Sequence, residues 1–325
     1  IQKKKPLLAL VVIVAALAIT VLENDYSVFT VSTLIQKPGE NIIVNFTVPE
    51  PARELIFAAH YDSKNDVWDH LERTKILKML PYALLVAIIS CIWVLFEKKF
   101  RIMGRGVLKF VPIVLPGVFV VYGCFLFSWL GGYVFLGEDR QSYGAIDDAA
   151  SVVTLMGMAR DINSGKTRLG DSNVTLLITG GEEVGYQGAY AYIKKRFGDK
   201  PANPKIPVSL VNLELVAQNG NMVYWKTVGS LTKFYQADPS LIKRLNTVWL
   251  EASGKPMDSG GTLTDDTMVF GAVGIPFVTV GHSGIPGLGF GGFHSPADNM
   301  DRVNPENLAL MIKTLEKYIE SYGKN

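Results

Sequence analysis

Five short stretches of this chain carry side chains that bind divalent cations or move protons: His60-Tyr61-Asp62, Asp147-Asp148, Glu182-Glu183, Glu214 and His294. Hard and borderline divalent ions take carboxylate oxygen and imidazole nitrogen. His60 and Asp62 stand two apart behind an apolar run, so at a strand end they can share one face. One can then ligate while the other orients it. A core histidine followed by a turn aspartate has the same pattern. Asp147-Asp148 follow Gly144-Ala145-Ile146 and open a helical stretch, either as ligands or as acids that favour a helix N-terminus. Glu182-Glu183 follow an apolar run and Gly180-Gly181. Adjacent carboxylates repel unless a cation or proton intervenes, which suits one as general base and the other as ligand. A glutamate-rich first helical turn is the structural alternative. His294 follows the glycine-rich stretch Gly281–Gly292, which lacks a phosphate-loop lysine and reads as the rim of a pocket. His282 rivals His294 as a ligand, and His70 reads as structural or solvated.

These residues need a scaffold that brings them together. Residues 41–46 and 54–59 read as strands joined by the turn Pro49-Glu50-Pro51, and Leu55–Ala59 is continuously apolar, as in a strand covered on both faces. Residues 149–163 read as a helix, 174–179 as a strand, 189–197 as a helix, 208–215 and 273–280 as strands, and 304–322 as an amphipathic helix. This alternation predicts an α/β fold with a mixed, mostly parallel central sheet flanked by helices. The candidate site residues fall at carboxyl ends of strands, where open α/β sheets place their sites.

Hydrophobic residues make up 48 % of the 325, and the mean hydropathy is +0.22. The excess lies in three uncharged blocks, Pro6–Leu22, Met79–Phe96 and Phe110–Leu136. Each approaches the ~20 residues a bilayer span needs, which predicts three transmembrane helices. The first reads as a retained anchor, with a cleaved signal peptide ending near Ala16-Leu17-Ala18 as the alternative. Lys3, Lys4 and Lys5 precede the first block, and Lys98, Lys99, Arg101, Arg105 and Lys109 lie between the other two. Positive charge at span ends favours the cytoplasm. The expected layout is an anchor over 1–22, an inserted hairpin over 67–136, and a soluble domain of 23–66 with 137–325 on the extracytoplasmic side. Net charge is +2, which gives no reason to expect a nucleic-acid partner. The two cysteines, Cys91 and Cys124, exclude a Cys-rich zinc site.

In order, Ala59-His60-Tyr61-Asp62-Ser63, Gly144-Ala145-Ile146-Asp147-Asp148-Ala149, Gly181-Glu182-Glu183-Val184-Gly185, Asn212-Leu213-Glu214 and His294-Ser295-Pro296-Ala297-Asp298 resemble the dizinc exopeptidase family 28 of the metallopeptidases. That family includes bacterial leucyl aminopeptidases and glutamate carboxypeptidase. The resemblance covers residues 41–66 and 137–325. It implies that His60, Asp147 and Glu214 hold one metal and that Asp147, Glu183 and His294 hold the other. It also implies Glu182 as general base and Asp62 as the partner of His60. Many members carry aspartate where this chain has Glu214, and the hairpin is outside the family pattern. The expectation is a membrane-anchored aminopeptidase with two divalent ions, zinc first, acting on peptides beside a bilayer. A carboxypeptidase of the same fold, a single-zinc glutaminyl cyclase and a non-catalytic binding scaffold are the alternatives.

Overall fold

The structure is a computed structural model that describes residues 38–66, 141–198, 202–230, 232–284 and 291–323, with isolated positions inside 8–22 and 82–96. The chain divides into two units, one of residues 36–64 with 142–325 and one of 1–35 with 65–141. In the second unit, Leu8, Val11, Leu22, Leu85, Ile89 and Phe96 are helical, with exposed side chains. The remainder of the apolar blocks, and His70, lie outside the described residues. Among the described residues no helix is long and apolar enough to cross a membrane.

The first unit contains β1 (Ile42–Phe46), β2 (Arg53–His60), α1 (Ala150–Asn163), β3 (Ser172–Thr179), α2 (Gln187–Phe197), β4 (Val208–Leu213), β5 (Met222–Gly229), β6 (Phe234–Gln236), α3 (Pro239–Ser253), β7 (Asp258–Leu263), α4 (Thr267–Ala272), β8 (Phe277–His282) and α5 (Pro305–Glu320). The strands form one mixed sheet in the order β1-β3-β2-β4-β8-β5-β6, with β7 also paired to β5. The four central strands β3, β2, β4 and β8 are mutually parallel. β2 lies between β3 and β4, with Leu55 opposite Val174 on one side and Ser209 on the other. Its apolar run is buried throughout, as two covered faces require.

Three expected features shift. β1 pairs antiparallel with β3, so the turn at Pro49–Pro51 does not join neighbouring strands. The strand expected over 273–280 begins at Phe277, after Gly274 at φ 81° and Pro276, neither of which suits a strand interior. The segment from 222 to 272 holds β5, β6, β7, α3 and α4, none of which was read from sequence.

Helix starts have local causes. Asp238 accepts the N–H groups of Ser240 and Leu241 and is followed by Pro239 at the first helical position of α3. Asn304 does the same for Glu306 and Asn307 ahead of Pro305 in α5. Each such cap contributes roughly 1 kcal/mol. α5 packs against both α1 and α3, and its Tyr318 ring meets Phe57 of β2 edge-on at 6.2 Å. That contact seals the core beneath the central strands.

Candidate metal centre

Parallel pairing puts the carboxyl ends of β2, β3 and β4 on one side of the sheet, and the candidate residues collect there. His60 is the last residue of β2, Glu182 and Glu183 follow β3, and Glu214 is the first residue after β4. The β4–β8 ladder continues past Leu213: the Glu214 N–H donates to Val280 at 3.0 Å. A Cβ at position 281 would stand 1.9 Å from the Glu214 carbonyl oxygen, so only glycine allows this approach.

Asp147 lies at the centre. Its Oδ1 is 3.2 Å from His60 Nε2, and its Oδ2 is 3.2 Å from His294 Nε2. Glu214 Oε1 is 3.7 Å from His60 Nε2, and Glu183 Oε1 is 2.8 Å from His294 Nε2. Two sets of donors could each hold an ion: His60, Asp148 and Glu214, and Asp147, Glu183 and His294. Asp148 is the addition to the sequence-based set. Its oxygens are already engaged, one by the Ser151 hydroxyl and the other by the His60 N–H at 3.2 Å.

Asp62 stands beside His60 and has a second task as well. His60 Nδ1 meets the main-chain oxygen of Asp62 at 2.9 Å, whereas the nearer carboxylate oxygen is 3.6 Å away. That carboxylate also accepts the N–H groups of Glu182 at 3.1 Å and Glu183 at 3.2 Å. It fixes the turn on which both glutamates stand.

The donor set fits divalent cations. His60 Nε2, Glu183 Oε1 and Glu214 Oε2 are buried and make no well-formed hydrogen bond, although opposite charges stand within 4 Å of the first two. Buried nitrogen and oxygen donors gathered this closely are what a metal requires. The charge balance agrees. Burial pushes the Glu214 carboxyl up to about 8, and Asp147 adds to the shift against the opposing pull of His60. Burial also raises Glu182 well above the carboxylate range, with Glu183 and Glu214 adding. Burial opposes an imidazolium at His60, yet Asp147, Asp62 and Glu214 raise its pKa well above the usual value. The cluster is short of positive charge, which bound cations supply.

Residues 124–319 match the family model of peptidase family M28, more than half of the chain. The chain belongs to peptidase family M28. No curated protein matches it. Among solved structures, a leucine aminopeptidase precursor from Bacteroides thetaiotaomicron is similar over 88 % of this chain and 76 % of its own, at 16 % identity and TM-score 0.51. A glutaminyl cyclase from the same organism, solved with N-acetylhistamine, is similar over 88 % and 77 %, at 16 % identity and TM-score 0.52. An aminopeptidase from Aneurinibacillus matches over 86 % of this chain at 16 % identity and TM-score 0.49, and this chain spans only 47 % of its length. For the two Bacteroides structures, at 16 % identity, the likeness is one of fold.

Within this M28 fold, His282 is separate from the cluster. It is fully buried, its Nδ1 accepts the Ala217 N–H at 3.2 Å, and burial pushes its pKa down to about 4. Sequence reasoning missed a second buried acid pair, Asp265-Asp266. Asp265 is saturated by Thr267 and Thr279, while Asp266 accepts the Thr179 hydroxyl at 2.5 Å and is pushed up to about 7 by burial. Adjacent acids before a short apolar helix were the available signal, the same one that drew notice to Glu182-Glu183.

Proposed function

We propose that this chain is a two-zinc exopeptidase that removes N-terminal residues from peptides. The observation that carries the reading is Asp147, whose two oxygens each stand 3.2 Å from a different histidine. A carboxylate so placed can be shared between two ions. His60, Asp147 and Glu214 would hold one, and Asp147, Glu183 and His294 the other. Nitrogen and oxygen donors without sulfur suit zinc in a hydrolase. Bound ions supply Lewis acidity toward the scissile carbonyl and lower the pKa of a water.

Glu182 is the proton carrier. Burial keeps its carboxyl pKa high, which suits a base that must also give the proton back. Its side-chain carboxylate takes a proton from the attacking water and delivers it to the nitrogen of the leaving amine. Asp62 holds Glu182 in place through the Glu182 N–H. Membership of the family supports a peptide substrate, and the motif resemblance to leucyl aminopeptidases supports the N-terminal end of it.

The test is zinc content of the purified protein together with three peptides: a free-amine leucyl peptide, its N-acetylated form and a glutaminyl peptide. Two zinc ions and release of leucine from the free-amine peptide alone are expected. Release from the C-terminus, cyclisation of the glutaminyl peptide with one ion, or no ion and no turnover would each replace this reading with a carboxypeptidase, a cyclase or a binding scaffold.

We also infer that the chain is an integral, multi-pass membrane protein, anchored by residues 1–22 and the 67–136 hairpin, with residues 23–66 and 137–325 on the extracytoplasmic side. The three uncharged blocks support it, as do the exposed helical side chains of Leu8, Leu22, Leu85 and Ile89. Apolar side chains left bare on a helix suit lipid better than water.

A further inference from the structure

Lys64 is a buried cation that the proposed reaction does not use. Its side chain is 4 % exposed, and its Nζ stands 4.0 Å from Oε2 of Glu183, itself 7 % exposed. Lys64 belongs to the segment that leaves β2 just after His60 and Asp62, so the chain that supplies one end of the centre also supplies this charge.

The two glutamates that would hold the ions are therefore unlike. At Glu183, Oε1 points into the cluster without a well-formed hydrogen bond, whereas Oε2 faces the ammonium. At Glu214, Oε2 is the buried oxygen without a partner, and Oε1 faces His60, itself a donor of the same set. Glu214 can offer both oxygens to an ion. Glu183 offers one, and the other faces the Lys64 ammonium at 4.0 Å. A fixed positive charge close to a cation site also opposes the cation directly, and it does so strongly where water is excluded.

Resting on the two-ion reading, we infer that Lys64 sets the loading order of the centre: it makes the ion held by Asp147, Glu183 and His294 the weaker of the two. At limiting zinc the His60–Glu214 side fills first. Lys64 is a positioning residue that acts through Glu183.

Zinc titration of the metal-free protein by calorimetry, with chelator competition, tests this. The wild type is expected to bind two ions in separate steps, and Glu183→Gln to lose the weaker step alone. Lys64→Met keeps the length of the side chain and removes the charge. It should tighten the weaker step by about tenfold or more and leave the tighter step unchanged. Lys64→Arg keeps the charge and should behave as the wild type. A weaker step that is unchanged or further weakened in Lys64→Met overturns the assignment, as does a change confined to the tighter step. If Lys64→Met does not fold, Lys64→Gln makes the same comparison. Failure of both to fold in excess zinc would also overturn it, because a residue that tunes affinity is not needed for folding. A wild type that binds one ion or none defeats the two-ion reading itself, a result distinct from any of these.

Discussion

The carboxylate of Asp298 accepts the backbone N–H of Asp147 at 3.2 Å and that of Ile146 at 2.8 Å. It ties the loop that carries His294 to the turn that carries the shared acid. Arg302 steadies the same loop, with its guanidinium 4.5 Å from the centre of the Phe293 ring and a hydrogen bond to the Gly291 oxygen at 2.9 Å. The 3.2 Å approach of His294 to Asp147 thus depends on a clamp that touches neither side chain. Asp298→Ala would leave two buried N–H groups unpaired, at a cost of about 1–3 kcal/mol each. Zinc affinity should fall roughly 10–100-fold, as it does when groups supporting metal ligands are lost. Titration of the variant with zinc decides it: wild-type affinity for both ions would show that the clamp does not set the centre.

Glu182→Gln should abolish peptide hydrolysis and leave zinc content nearly intact. The amide keeps the size of the side chain but cannot take a proton, and such proton transfer is typically worth ~10²–10⁴-fold. Paired measurements of turnover and bound zinc separate chemistry from metal loss. Near-normal turnover with both ions in place would remove Glu182 from the reaction.

The central strands and the donors at their ends were legible because each carries a local signal. Leu55–Ala59 is a continuous apolar run and Leu176–Ile178 a shorter one, and each is followed by the polar residues of the centre. The segment from 222 to 272 was illegible for opposite reasons. β6 has three residues, and β7 contains Gly260-Gly261, poor strand formers whose pairing comes from β5. The start of α3 carries a local signal, since Asp238-Pro239 is a helix-start pair. Within the centre, residue identities were readable but tertiary partners were not. The bond from Asp298 to Asp147 joins residues 151 apart, and the bond from Thr179 to Asp266 joins residues 87 apart. Both exist only because the sheet order brings distant loops together. The role of Asp62 toward the Glu182 turn was hidden for the same reason.

The histidines should separate by metal content. His60→Ala and His294→Ala should each lose zinc and activity, and His282→Ala should keep its zinc. His282 also predicts an acid response. Its folded pKa of about 4 lies below the ordinary 6.5, because burial keeps the ring neutral. The folded state therefore binds fewer protons, so the contribution is full above pH 6.5 and is lost as pH falls toward 4. The difference amounts to roughly 3 kcal/mol. Urea midpoints measured across that window should fall more steeply for the wild type than for His282→Gln. Parallel curves would mean that His282 is not held neutral in the fold.

The hairpin makes the last prediction, because His60 precedes it and Asp147 follows it, yet the two side chains meet at 3.2 Å. On the proposed topology the chain leaves the sheet after β2, crosses a bilayer twice and returns beside the point of departure. On that topology, Lys3–Lys5 and the basic residues from Lys98 to Lys109 would face the cytoplasm, the side that positive charge at span ends favours. Replacing Cys91 and Cys124 gives a background without thiols. A single cysteine introduced between positions 98 and 105, and another near Asn325, should then react with an impermeant reagent from opposite sides of sealed membranes. The second should label from outside. Labelling of both from the same side would overturn the three-span arrangement and the extracytoplasmic placement of the centre together.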